Sequence, residues 1–194
     1  MSSLDELIDE REIFKKAAKM ALDASENAIT FGSKVGYVVQ TYDNKLFAGF
    51  NIELYVYESV HAEKSAILSA LREGYRFTDF KRLIGVFKEA RKDGNIPATR
   101  QVSCHACRGF MYDITHPYIE IAKIDTDGNK MYSVRLNELE NSDFEAYPST
   151  ETRELKRRLN NTPKLPLSAE LENFYAKDEK FRRLCTLYGA KVGV

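Results

Sequence analysis

Two short runs, His61-Ala62-Glu63 and Cys104-His105-Ala106-Cys107, hold an imidazole, two thiols and a carboxylate in a pattern suited to metal-assisted hydrolysis. His61, Cys104 and Cys107 make three ligands for one zinc ion per subunit, and three protein ligands leave a fourth position for water. Glu63 is then a carboxylate free to move that water's protons. The i, i+3 spacing of Cys104 and Cys107 puts both sulfurs on one face of a helix. At a helix start the unpaired amides and the dipole favour thiolate over thiol. His61, opening a second helix, completes the cluster. A structural zinc site is the competing reading, but such sites take four ligands, and only His105 or His116 is at hand for the fourth. His105 inside the Cys-x-x-Cys run reads as a solvent-facing or interface residue, and His116, before Pro117, as a turn residue. Asn51 and Glu53, two apart on an extended segment, project to the same side, where an amide and a carboxylate can clamp a sugar hydroxyl. Phe50, Tyr55 and Tyr57 lie beside them and divide evenly between stacking on a ring and packing.

The chain that must position these groups is 194 residues long with 43% hydrophobic and 30% charged residues, enough for one globular domain with a helical appendage but cramped for two full domains. Lys plus Arg and Asp plus Glu both number 29, so no global positive field marks a nucleic-acid binder. Met1 to Glu12 lacks the basic-then-apolar layout of a secretion signal, and no run of about 18 apolar residues offers a membrane span. The expectation is a soluble, cytoplasmic protein without membrane contact. Two of the three cysteines sit in one metal-ligand motif, which suits a reducing compartment, and Cys185 reads as a small buried apolar residue.

Apolar residues at three- and four-residue intervals predict an amphipathic helix from about Leu4 to Ala28. Val35–Thr41 and Lys45–Asn51 read as a hairpin turning at Asp43-Asn44. A helix over His61–Glu73 is ended by Gly74. Arg82–Glu89 reads as a strand, Cys104–Asp113 as a helix, and Tyr118–Ile124 and Lys130–Arg135 as strands turning at Asp127-Gly128. This order predicts an α/β fold, a three-layer α/β/α sandwich around a mixed five-stranded sheet. Past Tyr147 the composition shifts: a polar helix runs from Pro148 to about Leu159, and a final amphipathic helix from Ser168 to about Leu187. Residues 1–147 are thus expected as the catalytic domain, and 148–194 as a C-terminal helical extension packed on it or on a partner subunit.

His61-Ala-Glu-Lys-Ser-Ala-Ile67, Ser103-Cys-His-Ala-Cys-Arg-Gly-Phe-Met111 and Phe50-Asn-Ile-Glu53 together resemble the signature segments of the cytidine deaminases, in the subclass with histidine as first zinc ligand. The resemblance runs from about Phe14 to Tyr147. It implies hydrolytic deamination of cytidine and 2'-deoxycytidine to the uridines in pyrimidine salvage, with water attacking C4 of the ring and Glu63 carrying protons to ring N3 and the departing amine. It also implies that the Ala62 amide binds the base carbonyl, that the Val102 carbonyl holds the exocyclic amine, and that Asn51 and Glu53 hold the ribose 3'-hydroxyl of a free nucleoside. A homo-oligomer, dimer or tetramer, is implied as well, with Glu138–Tyr147 a candidate to close a neighbour's site. Nucleic acid is an unlikely partner.

Three departures from the family pattern bear on the substrate. Ser103 stands where proline is common, Ser33-Lys34 precede Val35-Gly36 where an aromatic is common, with Phe31 nearby, and Ala90–Val102 is long and carries Arg91, Lys92 and Arg100. They keep two alternatives open: a deaminase of a modified cytosine nucleoside, a cytosine nucleotide or single-stranded nucleic acid, and a catalytically silent zinc-containing binding module.

Overall fold

The β-prone run after Ser33 does form the centre of a sheet. In the computed structural model, which describes residues 4–54, 59–88, 103–124, 131–139 and 163–192 (4–8 and 131 by backbone only), β1 (Lys34–Thr41) turns back through Asn44, at φ 63°, into β2 (Leu46–Phe50). The left-handed conformation at Asn44 is one that asparagine tolerates. β5 (Phe80–Lys88) lies antiparallel on the other side of β1, and β6 (Glu120–Ile124) and β7 (Met131–Arg135) complete the order β2-β1-β5-β6-β7. Only β5 and β6 run parallel, so the sheet is mixed. A two-residue pair, β3 (Ile52–Glu53) with β4 (Ser59–Val60), forms a small separate ribbon that periodicity does not announce.

Alternation along β1 divides the layers. Val38, with Ile84, Val86 and Ala122, packs against Ala17 and Ala21 of α1 (Leu4–Ser25) on one face. Tyr37 and Val39 face α2 (Ala62–Arg72) and α3 (His105–Ile114) on the other, with Phe80, Leu83 and Ile121. Full burial of each large apolar side chain contributes about 1.5–3 kcal/mol. The result is the expected three-layer sandwich. α2 rests directly on the sheet: a Cβ at Gly49 would lie 2.2 Å from the Ala66 amide nitrogen, so β2 needs glycine there. Gly74, at φ 91°, closes α2 as its position after the last apolar residue predicts, with the Tyr75 amide donating to the Ala70 carbonyl at 3.2 Å.

Several boundaries differ from expectation. α1 stops at Ser25 and Ile29 instead bridges Ile52. The expected single helix from Ser168 to Leu187 is two, α4 (Ala169–Lys177) and α5 (Glu179–Leu187). Asp178 breaks it: in extended conformation, it caps Phe181 N at 3.1 Å and accepts the Tyr118 hydroxyl on its other oxygen. His116 opens a turn as expected, the Ile119 amide donating to its carbonyl at 3.2 Å, but its side chain does not face solvent. It is fully buried, with Nε2 2.6 Å from the Phe80 carbonyl, among the rings of Tyr42, Phe77 and Phe181. The polar helix predicted after Pro148, the 147/148 boundary, the turn at Asp127-Gly128, Tyr55, Tyr57 and the whole of the basic stretch 90–102 lie outside the described residues.

The C-terminal helices pack on their own chain. Leu171, Phe181, Cys185 and Tyr188 enclose Phe77, and Phe174 stacks on Tyr118 with centroids 3.9 Å apart. The buried Asp79 carboxylate accepts three amides, Arg76 (2.7 Å), Lys164 (2.8 Å) and Leu165 (2.7 Å), which ties the incoming segment down. Cys185 is buried here, as its composition-based reading holds. This cluster meets β5 at Phe80, whereas Val35 and Phe87, at the other end of the β1–β5 register, line the site described below. Seven residues of strand, about 23 Å, separate the two ends.

Candidate metal centre

The two ligand motifs meet because both open helices at the same end of the sheet. His61 and Cys104 are the residues just before α2 and α3, in extended conformation (φ −75°, ψ 151° and φ −67°, ψ 163°), and neither side chain caps its own helix. Both are turned instead toward a shared point. His61 Nδ1 lies 3.2 Å from Cys104 Sγ and 3.2 Å from Cys107 Sγ, although 43 and 46 residues separate them in sequence. All three ligand atoms lie within 4.8 Å of one another. Zinc bonds of ~2.3 Å to sulfur and ~2.1 Å to nitrogen at a tetrahedral angle require about 3.6 Å between such atoms, so the trio is a slightly contracted zinc cradle. The donor set of one imidazole and two thiols suits zinc, and among the described residues no fourth His, Cys, Asp or Glu joins the group. His105 is exposed on α3, and His116 is held at the far end of β5, so neither completes a four-ligand structural site.

Burial acts on one of the two thiols. Helix starts favour thiolates, but burial pushes the Cys107 thiol well above its ordinary range, and the nearby Glu63 and Cys104 push it further. A thiolate at that depth depends on a bound cation.

Beside the trio opens a cavity of about 290 Å³. Glu63, only 5% exposed, lines its metal end together with Ala62, Ser103 and Cys104. Ser33, Asn51 and Glu53 line the opposite end. The sequence-nominated His61, Ala62, Glu63, Cys104, Asn51 and Glu53 are therefore brought to one cavity, with the buried Cys107 behind it. Val102 lies outside the described residues.

Asn51 and Glu53 are joined, Nδ2 to Oε1 at 3.2 Å, and they divide the work. Asn51 also donates to the Ser33 carbonyl (3.0 Å) and accepts the Val35 amide on Oδ1 (2.8 Å). Both its amide hydrogens are thus engaged, and it acts as a strut between β1 and the turn into β3. Glu53 accepts Thr30 Oγ1 (2.5 Å) and the Phe31 amide (3.3 Å) on Oε2, which leaves a lone pair on Oε1 for a ligand hydroxyl. Thr30 was not nominated by sequence, and neither was Tyr37, whose ring lies under the metal end. No periodic or motif signal marks either one.

Comparison with known proteins agrees with this geometry. Residues 9–122 match the family described as the cytidine and deoxycytidylate deaminase zinc-binding region. No curated protein sequence matches the chain. Among solved structures, the cytidine deaminase of Burkholderia pseudomallei is similar at 27% identity and a TM-score of 0.56, covering 67% of this chain and 98% of its own. Weaker likenesses include the cytidine deaminase of Mycobacterium leprae (22% identity, TM-score 0.47, 65% of this chain and 95% of its own) and the dCMP deaminase of cyanophage S-TIM5 (17%, 0.39, 61% and 87%). Because the family match spans more than half of the 194 residues and includes His61, Cys104 and Cys107, the chain belongs to the cytidine and deoxycytidylate deaminase family.

Proposed function

We propose that this protein deaminates free cytosine nucleosides hydrolytically, converting cytidine and 2'-deoxycytidine to uridine and 2'-deoxyuridine with release of ammonia, in pyrimidine salvage in the cytoplasm. The observation that carries this reading is the Glu53 carboxylate, fixed by Thr30 and Asn51 in the same cavity as the metal trio. A carboxylate there accepts a sugar hydroxyl, whereas a phosphate at that hydroxyl would meet like charge.

His61, Cys104 and Cys107 would hold a zinc ion, which would lower the pKa of a water from 15.7 toward about 7 and so supply a nucleophile at neutral pH. Glu63 accepts a proton from the attacking water and passes it to ring N3, then takes the second proton from the hydroxyl now on C4 and delivers it to the departing amine, which leaves as ammonia. Its burial keeps competing water from that carboxylate. The Ala62 amide, in the first turn of α2, has no partner within the helix and donates to the base carbonyl. Asn51 holds Glu53 in place. By resemblance the Val102 carbonyl also faces the amine.

Residues 1–147 form the catalytic unit in this reading, and 148–194 its helical extension. A homo-oligomer, dimer or tetramer, accords with the apolar side chains exposed beside the cavity, Ile29 (59%), Phe31 (66%), Leu54 (51%) and Val60 (42%), which a second copy would cover. Among the described residues no helix is long and apolar enough to cross a membrane.

The test is a spectrophotometric assay of the zinc-loaded protein on cytidine, deoxycytidine, their monophosphates and single-stranded DNA, beside Glu63→Gln. Turnover of the free nucleosides is expected, with kcat in the variant reduced by about 10²–10⁴ while zinc is retained. Undiminished turnover by Glu63→Gln sinks the proton-transfer role, and turnover confined to monophosphates or DNA sinks the nucleoside assignment.

A further inference from the structure

Two hydroxyls at the metal end of the cavity have no hydrogen-bond partner within the described residues, Ser103 Oγ and Tyr37 Oη. Ser103 lines the cavity next to Cys104 and is 8% exposed, and Tyr37 is fully buried beneath it. The two hydroxyls are close enough for the Ser103 hydroxyl to pull down the Tyr37 phenol that burial, then Glu63, pushes up, but no hydrogen bond joins them in this structure. Buried hydroxyls are seldom left unpaired, so an unpaired Ser103 hydroxyl lining a cavity, with a second unpaired hydroxyl behind it, is a ligand-shaped deficit.

Both residues are held in place by features with no other evident use. The Tyr37 ring lies across its strand neighbour Gly85, where a Cβ would come within 2.4 Å of Cζ, and Phe87 packs edge-on against it at 5.8 Å and 83°. Ser103 has a φ of +38°, a left-handed conformation uncommon for a side-chain-bearing residue. Proline, locked near −65°, cannot adopt it, so the chain enters Cys104 here by a path closed to the imino acid common at this position in the family.

At the metal end of the cavity the Ala62 amide is a donor and Glu63 is engaged with protons in transit. Among the described residues there, the Ser103 hydroxyl is the uncommitted neutral acceptor. The group on a cytosine ring that needs an acceptor beside the reacting carbon is its exocyclic amine. We propose that Ser103 Oγ accepts a hydrogen bond from the substrate's exocyclic amine and that the Tyr37 hydroxyl, donating to the same oxygen, orients it, so that the pair selects amine-bearing pyrimidines. A serine oxygen has two lone pairs, one for each donor. Tyr37 is a positioning residue, because it acts through Ser103. This inference rests on the nucleoside deaminase reading.

The test compares wild type, Ser103→Ala, Tyr37→Phe and the double variant, all checked for zinc content. It measures kcat/KM on cytidine and the Kd of pyrimidin-2-one ribonucleoside, which has the same sugar and ring without the amine. For Ser103→Ala we expect about a tenfold loss in kcat/KM, with zinc retained and the pyrimidinone Kd unchanged within about twofold. Tyr37→Phe is expected to lose less, and the double variant no more than Ser103→Ala alone. Wild-type kinetics in Ser103→Ala, equal weakening of both ligands, or additive losses in the double variant overturn this inference alone. A wild-type protein that neither turns over cytidine nor binds the pyrimidinone overturns the deaminase reading, and this inference with it.

Discussion

His116 makes a pH-dependent penalty that can be worked out. It is fully buried, and burial lowers its pKa to about 4, the hydrogen bond to the Phe80 carbonyl only partly opposing this. In the unfolded chain the imidazole titrates near 6.5, so between about pH 4 and 6.5 the unfolded state binds a proton that the folded state refuses. The folded pKa is depressed for a base, so stability is full above 6.5 and falls as pH drops, by about 1.4 kcal/mol per unit. From pH 7.5 to 4.5 the loss attributable to His116 is about 2.5 kcal/mol. The perturbation is His116→Gln, which keeps an amide donor for the Phe80 carbonyl and does not titrate. Urea unfolding of both proteins at half-unit pH intervals gives the two slopes, and their difference cancels the carboxylates and metal ligands common to both. Asp79, raised by burial, acts in the opposite sense and cancels likewise. Parallel curves across pH 4.5–7.5 would refute the reasoning, whatever the offset at neutral pH.

Gly49→Ala forces a methyl into the backbone of α2 and is expected to cost about 1–3 kcal/mol and, because His61 and Glu63 ride on that helix, to weaken zinc retention against a chromophoric chelator. A stable variant with unchanged zinc affinity would show that α2 has room to shift. Asp79→Ala strands the three amides its carboxylate accepts and is expected to cost about 3 kcal/mol or more, with faster hydrogen exchange at Lys164 and Leu165. Unchanged protection there would mean that apolar packing alone holds the segment.

The metal centre was legible because its residue types are rare and their roles strict. Only three histidines and three cysteines occur in the chain, and a three-ligand site needs most of a motif to be right at once. Gly74 and Asn44 were legible for a related reason: positive φ narrows the choice of residue. What sequence hid were features set by tertiary contact. Asp178 reads as an ordinary helix-face residue until Tyr118, 60 positions away, is found on its carboxylate. His116-Pro117 reads as a turn and is one, but that its imidazole is buried among rings brought from Tyr42, Phe77 and Phe181 is not readable from the dipeptide. Asn51 was nominated as a sugar ligand from its spacing to Glu53, and the bonds to Ser33, Val35 and Glu53 by which it also braces that corner are contacts the spacing does not show. How far burial opposes the preference of a helix start for thiolate rests on a quantity that sequence does not carry, the depth at which Cys107 is buried.

The metal trio also acts as a clasp. α2 and α3 touch each other sparsely and owe their positions to the sheet, so a cation gripping His61 on one and both sulfurs on the other closes a loop of more than 40 residues. Because unfolded chain offers no such grip, occupancy and folding are one equilibrium: free metal at a thousand times its Kd is worth about 4.1 kcal/mol of stability. Metal supply would therefore bear on the stability of the folded chain as well as on its chemistry, and a chain stripped of the ion is expected to unfold at a lower denaturant concentration.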